Sequence, residues 1–198
     1  MEPGIAETPV ATLQAWEAFN VADSAAPYLS KDFVAATFDF RSKTLSGQQE
    51  LRPRWKRAVA ATSASLGDAV GQLYVKQYFP ASSRAAVEQL VQNLIAAFNQ
   101  RIDDLAWMTP ATREKAKAKL TTLKVGVGYP DRWRDYAALE IRPDDAIGNQ
   151  LRAEQFEYEH QRAKLGQPVD RGEWWMTPQT INAVNLPLQN ALNFPAAI

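Results

Sequence analysis

Residues 82–105 read SSRAAVEQLVQNLIAAFNQRIDDL, and this stretch decides the fold class. Its large apolar residues recur at steps of three and four, at Val87, Leu90, Val91, Leu94, Ile95, Phe98, Ile102 and Leu105. That spacing puts all of them on one face of an α-helix. Because so wide an apolar face is unfavourable in water, the sequence predicts a helix with one buried face packed against a partner.

Most of the remaining chain also favours helix. Four further segments have apolar stripes or end signals typical of helices: residues 12–27, 52–79, 109–123 and 144–166. Gly67 and Gly71 weaken the middle of the second of these segments, which predicts two helices there. Thr109 is a good N-cap before Pro110, and Gly166 is a typical helix stop.

Two regions favour strands. Valines alternate with glycines in residues 124–130, which predicts a short extended segment. Nearer the end, residues 180–185 and 191–194 are typical of two strands, joined by residues 186–190. The sequence therefore predicts a mainly α fold in which a short β-hairpin follows the helices.

The charge balance excludes several kinds of partner. Lysine plus arginine and aspartate plus glutamate each number 22, so the formal net charge is zero. A neutral chain without a basic tract lacks the electrostatic pattern of nucleic-acid binding or of attachment to anionic membranes. We therefore expect no nucleic-acid partner. We also expect no membrane-spanning segment and no signal peptide in residues 1–10.

The cysteine and histidine counts restrict metal chemistry. The sequence has no cysteine, and His160 is its one histidine. These counts exclude cysteine zinc sites, iron–sulfur clusters and any site that needs two histidines from these residues. Glu157 and His160 have the Glu-x-x-His spacing of di-iron bundles, but such bundles need that motif twice. A solvated helix face is the better interpretation of this pair.

The predicted hairpin contains a candidate peptide-binding segment. Asn182 and Ala183 lie within its first strand, between Ile181 and Val184. If that strand is at a sheet edge, its free backbone groups could pair with an extended peptide, and the Asn182 amide could add a contact to the peptide backbone. An ordinary hairpin in a small sheet explains the same residues. From the residues alone, the ordinary hairpin is the simpler interpretation.

A series of motifs runs through most of the chain in a fixed order. They are LSG (residues 45–47), PRWKR (53–57), GQLYVKQYF (71–79), WMTP (107–110), GYPDRWRDY (128–136), MTPQT (176–180), NA (182–183) and FPA (194–196). In this order they resemble the neprilysin and endothelin-converting-enzyme family of zinc metalloendopeptidases. Because it has no cysteine, the sequence is most similar to the bacterial members of that family.

The resemblance implies a helical cap domain closed over a thermolysin-like catalytic domain. Residues 1–165 would form the cap, a non-catalytic lid, with its return linker, and residues 171–198 would form the first hairpin of the catalytic domain. Asn182 and Ala183 match the first two positions of the family motif that holds the substrate backbone. Val184 and Asn185 replace the aromatic pair that usually follows, and Asn193 replaces an apolar residue before Phe-Pro-Ala.

The family binds zinc through His-Glu-x-x-His and a further glutamate, and this motif does not occur in the sequence. The resemblance therefore implies part of a zinc metalloendopeptidase, a chain that ends before the zinc site. We expect no catalytic residue, no metal ligand, no bound zinc and no peptidase activity from this chain alone. The alternative is a non-catalytic helical interaction module, retained as a truncated product.

The expected partner is a peptide substrate, bound together with the catalytic part that these residues lack. Because a hairpin cut from its sheet exposes edge groups and apolar side chains, we also expect self-association through residues 174–198. The resemblance implies a periplasmic or extracellular location for the parent enzyme.

Overall fold

The structure, a computed structural model, describes residues 7–198. Residues 1–6, the start of the predicted lid, lie outside the described residues. The α-helices are α1 (Val10–Ala25), α2 (Lys31–Thr37), α3 (Arg54–Ser65), α4 (Gly67–Tyr78), α5 (Ala81–Asp103), α6 (Pro110–Thr121) and α7 (Ala146–Ala163). The strands are β1 (Lys124–Gly128), β2 (Val184–Leu186) and β3 (Ala191–Pro195). The prediction of a mainly α fold is confirmed.

The helix ends follow the predicted signals. Thr109 Oγ1 accepts a hydrogen bond from the backbone N–H of Thr112 at 3.2 Å, and Pro110 is the first residue of α6. The second predicted segment is indeed two helices, since α3 ends at Ser65 and α4 begins at Gly67. None of the helices in residues 7–198 combines the length and the apolar character that crossing a membrane requires.

The chain divides into two compact units. One consists of the described residues up to Val59 together with Leu139–Gln155, and the other of Ala60–Ala138 with Phe156–Ile198. In the first unit the small apolar residues Ala26 and Ala153 are buried. In the same unit, the Tyr28 hydroxyl donates to Gln150 Oε1 at 2.9 Å. The predicted division at residues 165 and 171 stays a prediction.

Helix α5 lies in the second unit, where it packs on α6 and β1. The predicted helix is confirmed, but its apolar face is not buried within the described residues. Leu90, Leu94 and Phe98 are 56%, 50% and 59% exposed, respectively, and no residue of α5 is buried. The expectation of one buried face was therefore wrong for this part of the chain, because α6 and β1 cover only a portion of the stripe.

The second unit contains a three-stranded mixed sheet with β3 in the centre. Strand β1 pairs with β3 in parallel, with Lys124 opposite Ala191. Strand β2 pairs with β3 antiparallel, with Leu186 also opposite Ala191. The predicted hairpin is confirmed as this antiparallel pair, although its first strand is shorter than expected. The sequence indicated β1 as an extended segment but did not indicate that it joins the hairpin.

Two glycines of α4 allow another segment of the same unit to approach the helix closely. A Cβ on Gly67 would lie 2.6 Å from Thr177 Cγ2, and a Cβ on Gly71 would lie 2.7 Å from Pro178 Cδ. Pro178 is among the most deeply buried side chains, and Gln179 Nε2 donates to the Gly67 carbonyl at 3.1 Å. The two glycines therefore form a contact surface, in addition to weakening the helix as the sequence suggested.

This contact yields a stability prediction. Gly71→Ala removes a poor helix former, which by itself favours the helix by about 1 kcal/mol. We nevertheless expect the free energy of unfolding to fall by about 1–3 kcal/mol, because the new methyl group overlaps Pro178. Urea unfolding followed by tryptophan fluorescence measures the change.

A double-mutant cycle with Pro178→Ala is the control. If Pro178 causes the loss, Gly71→Ala costs less in the Pro178→Ala background than in the unmodified chain. A Gly71→Ala variant as stable as the unmodified chain would contradict the close contact.

Candidate functional site

Strand β2 is an outer strand of the described sheet. Within residues 7–198 it pairs with β3 alone, and Val184 lies opposite Asn193. Leu186 of β2 is buried, with 7% of its surface exposed, whereas Asn185 of the same strand is exposed. An outer strand presents a row of backbone N–H and C=O groups that an extended peptide can pair with. The β2 edge of the sheet therefore has the chemistry of a peptide-binding strand.

Asn182 and Ala183 precede this outer strand. The sequence predicted a strand over residues 180–185, but β2 begins only at Val184, so this prediction was wrong for both residues. Local hydrogen bonds explain the difference: the backbone N–H of Thr180 donates to Thr177 O at 3.0 Å, and that of Asn182 donates to Thr180 O at 3.0 Å. These turns use backbone groups that a strand would need for its ladder.

The side chain of Asn182 is exposed and turned toward its own backbone. Its Oδ1 accepts a hydrogen bond from the backbone N–H of Ala183 at 2.8 Å. Its Nδ2 has no hydrogen-bond acceptor among residues 7–198. An amide in this state offers donors to a ligand, while its oxygen keeps the side chain in one orientation.

The loops on either side of the hairpin are fixed to each other and to β1. The backbone N–H of Ala197 donates to Pro178 O at 3.0 Å, and that of Ala196 donates to Gly128 O at 2.9 Å. Gly128 has a φ of +80°, and a Cβ there would overlap the ring of Phe79. Because Pro178 lies against α4, the segment before Asn182 is attached to the body of the second unit.

Several large apolar side chains in the segment before the hairpin and in its turn are exposed. Trp175 is 75% exposed and Ile181 is 84% exposed, while Leu188, in the turn between β2 and β3, is fully exposed. The neighbouring Trp174 differs, since its ring lies against Gly126 of β1. The sequence alone could not separate these adjacent tryptophans, because burial and binding use the same aromatic residues.

A cluster of charges joins the end of α7 to the loop before the hairpin. Glu173 Oε1 lies 2.8 Å from His160 Nε2 and accepts a hydrogen bond from Lys164 Nζ at 2.7 Å. Partial burial raises the pKa of Glu173, but the hydrogen bonds from His160 and Lys164 outweigh it and hold that pKa below its ordinary value. Glu173 is therefore a carboxylate at neutral pH.

The donor set of the described residues does not fit a zinc site. His160 is engaged with Glu173, and Glu157 forms hydrogen bonds with Arg134 and Gln161. No three His, Cys, Asp or Glu side chains in the part of the chain that the structure describes lie close enough together to hold a metal ion. Zinc in proteins needs three or four such ligands. The described residues therefore do not by themselves supply the ligands of a catalytic zinc ion.

Comparison with known proteins gives consistent matches. Residues 2–130 match Peptidase family M13. The neutral endopeptidase of Lactobacillus helveticus is 35% identical over 188 residues, which cover 94% of this chain and 29% of that protein. Neprilysin-3 of Drosophila melanogaster is 34% identical over 190 residues, which cover 92% of this chain and 24% of that protein.

A solved structure agrees with these matches. The zinc metalloprotease Zmp1 of Mycobacterium tuberculosis, in complex with an inhibitor, is similar with a TM-score of 0.90 at 44% sequence identity. The similarity covers 97% of this chain and 29% of that one. The chain therefore spans less than a third of the length of the relatives it matches.

The charge cluster yields a pH prediction. Because the folded-state pKa of Glu173 is lowered, its contribution to stability is present above the unfolded-state pKa, near 4.5, and is lost as the pH falls through the lower folded-state value. We expect Glu173→Gln to lower the free energy of unfolding by about 0.5 kcal/mol at pH 7, since the pair is partly exposed and screened. Urea unfolding at pH 7 and at pH 3 measures the difference.

The matched control is Glu114→Gln, on the exposed surface of α6, where Glu114 forms no ion pair with residues 7–198. It is expected to change stability little at either pH. A Glu173→Gln effect as large at pH 3 as at pH 7 would mean that the carboxylate charge is not its source.

Proposed function

The chain belongs to peptidase family M13, and on that premise we propose that it forms part of a neprilysin-like zinc metalloendopeptidase, an enzyme that hydrolyses peptides. The proposal rests on the outer strand β2, with Asn182 exposed just before it. In this proposal the residues up to about 165 supply a helical lid. Residues 171–198 supply the strand that aligns the substrate.

The proposed role of β2 is to add a peptide to the sheet. A substrate in extended form pairs its backbone with the free edge of β2, and pockets beside the strand select alternate side chains. Asn182 Nδ2 donates to a carbonyl of the peptide, while Ala183 leaves room for the peptide backbone to approach. This arrangement holds the peptide straight across the place where cleavage is to occur.

Zinc belongs to the whole enzyme in this proposal. When bound in the whole enzyme, zinc would supply the activation of water, and its ligands would be residues other than those of this chain. This chain aligns the substrate. We predict that it does not bind zinc, because the His, Asp and Glu side chains that the structure describes do not form a set of zinc ligands.

The zinc prediction can be measured on the chain directly. Isothermal titration calorimetry with zinc chloride is expected to give no stoichiometric binding at micromolar concentration, because one histidine cannot complete a zinc site. A His160→Gln variant is the control, and it should give the same weak heats as the unmodified chain. Tight binding at one zinc per chain would contradict the prediction.

A second candidate function is a non-catalytic helical interaction module. The exposed apolar face of α5, at Leu90, Leu94 and Phe98, favours it, because such a face is suited to binding another helix. Mixing this chain with a polypeptide that carries His-Glu-x-x-His separates the two functions. Peptide hydrolysis by the mixture supports the peptidase role, whereas stable binding without hydrolysis supports the module.

Two further expectations stay predictions. Self-association through residues 174–198 is supported by the exposed side chains of Trp175, Ile181 and Leu188 in this segment and by the outer position of β2. The periplasmic or extracellular location follows only from the resemblance to the family.

The role of Asn182 can be tested in the enzyme that carries this chain together with its zinc site. Asn182→Ala is expected to lower kcat/KM for a fluorogenic peptide about fivefold to tenfold, because one hydrogen bond to the substrate backbone is lost. The loss should appear mainly as a higher KM, since the contact exists in the bound substrate as well as in the transition state.

Asn99→Ala is the matched control, since it removes an exposed amide from helix α5, outside the proposed substrate-aligning strand. It is expected to change kcat/KM less than twofold. Equal losses in the two variants would overturn the assignment of the backbone contact to Asn182.

A further inference from the structure

Arg171 binds three backbone carbonyl groups, two in the turn that follows β2 and one at the end of α6. Its Nε donates to Gln189 O at 2.9 Å, and its Nη2 donates to Asn190 O at 3.2 Å and to Thr122 O at 2.9 Å. Thr122 is the C-cap residue of α6, where carbonyl groups lack partners within the helix. One guanidinium group thereby links the end of a helix to the turn of the hairpin.

Asn190 makes a second set of contacts to the same place. It has a left-handed backbone, with φ +47° and ψ +56°. Its Nδ2 donates to Lys119 O at 2.9 Å and to Thr122 Oγ1 at 3.0 Å. Its carbonyl also accepts from the backbone N–H of Lys124, at the start of β1, at 3.0 Å. We refer to Arg171 and Asn190 together as the hairpin clamp.

The side chain of Arg171 forms hydrogen bonds that position backbone segments, and it forms no ion pair within the described residues. The residue is exposed. All the hydrogen bonds of its side chain go to carbonyl oxygens of the backbone. A planar guanidinium with several fixed donors can fix carbonyls from different segments at set angles, which a flexible ammonium group cannot do.

The clamp matters because β2 is short. Its three residues, Val184–Leu186, pair with one strand only and lead directly into the clamped turn. Short strands at a sheet edge open easily. Ordering a strand costs conformational entropy. A strand that is already ordered before the peptide arrives binds it more tightly, because this cost is not part of the binding step.

We propose that Arg171 is a positioning residue for the substrate-aligning strand. In this role it acts without contacting the peptide, by fixing the turn at residues 187–190, and with it the C-terminal end of β2, to the end of α6. This inference rests on the proposed function for its purpose, but the ordering of β2 by Arg171 can be measured independently of any peptide.

Hydrogen exchange on the full chain measures the ordering directly. Arg171→Met keeps the apolar stem and removes all three hydrogen bonds. We expect the amides of residues 184–190 to exchange about tenfold faster in this variant, while those of α4 stay unchanged. Arg171→Lys, which can reach one carbonyl at a time, should restore part of the protection.

Arg162→Met is the matched control. Arg162 is exposed and pairs with Glu159 on the same face of α7, far along the chain from the turn. It is expected to leave exchange at residues 184–190 unchanged. Equal exchange in the Arg171→Met variant and the unmodified chain would overturn the inference.

An independent variant covers the case in which Arg171→Met does not fold, as judged by its thermal unfolding. Asn190→Gly keeps the left-handed backbone accessible but removes the contacts to Lys119 and Thr122. It should also speed exchange at residues 184–190. Unchanged exchange in this variant would overturn the clamp.

The effect of Arg171 on peptide binding is tested with a defined probe, an equimolar pool of randomised nonapeptides blocked at both ends. Millimolar peptide should slow exchange at residues 182–186 of the unmodified chain, and Arg171→Met should need about threefold to tenfold more peptide for the same effect. Absence of peptide protection in the unmodified chain would overturn the proposed function. Peptide protection that is equal in both chains would overturn the role of Arg171 and leave the proposed function intact.

Discussion

The second unit depends on the absence of two side chains. Gly67 and Gly71 lie one turn apart on α4, and the side chains of Thr177 and Pro178 occupy the space where their Cβ atoms would be. This approach lets Gln179 bond to the helix backbone and lets Pro178 accept from the last residues of the chain. The start of the hairpin and the residues after β3 are therefore fixed to the same helix. The outer strand owes its fixed position to this contact at one end and to Arg171 and Asn190 at the other.

Features encoded by neighbouring residues could be predicted from the sequence. The capping of α6 by Thr109 and Pro110 depends on atoms a few positions apart, and the break between α3 and α4 has a similarly local cause in Gly67. The period of α5 also predicts a helix correctly. The burial of the apolar face of α5 could not be predicted in the same way. The same apolar spacing occurs whether the segment that covers this face lies within these residues or in another polypeptide segment.

The candidate site was only partly predictable for a related reason. The pattern of alternating residues near Asn182 favours a strand, but the turns at Thr177 and Thr180 use the backbone groups that the strand would need. Arg171 gave no signal, since an isolated arginine before a hairpin is typical of a solvated surface. Its partners, at Thr122 and at Gln189 and Asn190, are distant in sequence from one another, and only the folded chain brings them together.

The mixed pairing of β3 has a consequence for the order of folding. Strands β2 and β3 are close in sequence and can pair as soon as both have been synthesised. Strand β1 is synthesised much earlier than β3, its only partner among the described strands, and stays unpaired until β3 follows. During that interval, β1 is an unpaired strand in a nascent chain and is open to pairing with the wrong partner. Gly126 and Gly128 reduce the intrinsic strand propensity of β1. The glycines that give β1 its close contacts in the folded protein therefore also make it a poor seed for aggregation before β3 is made.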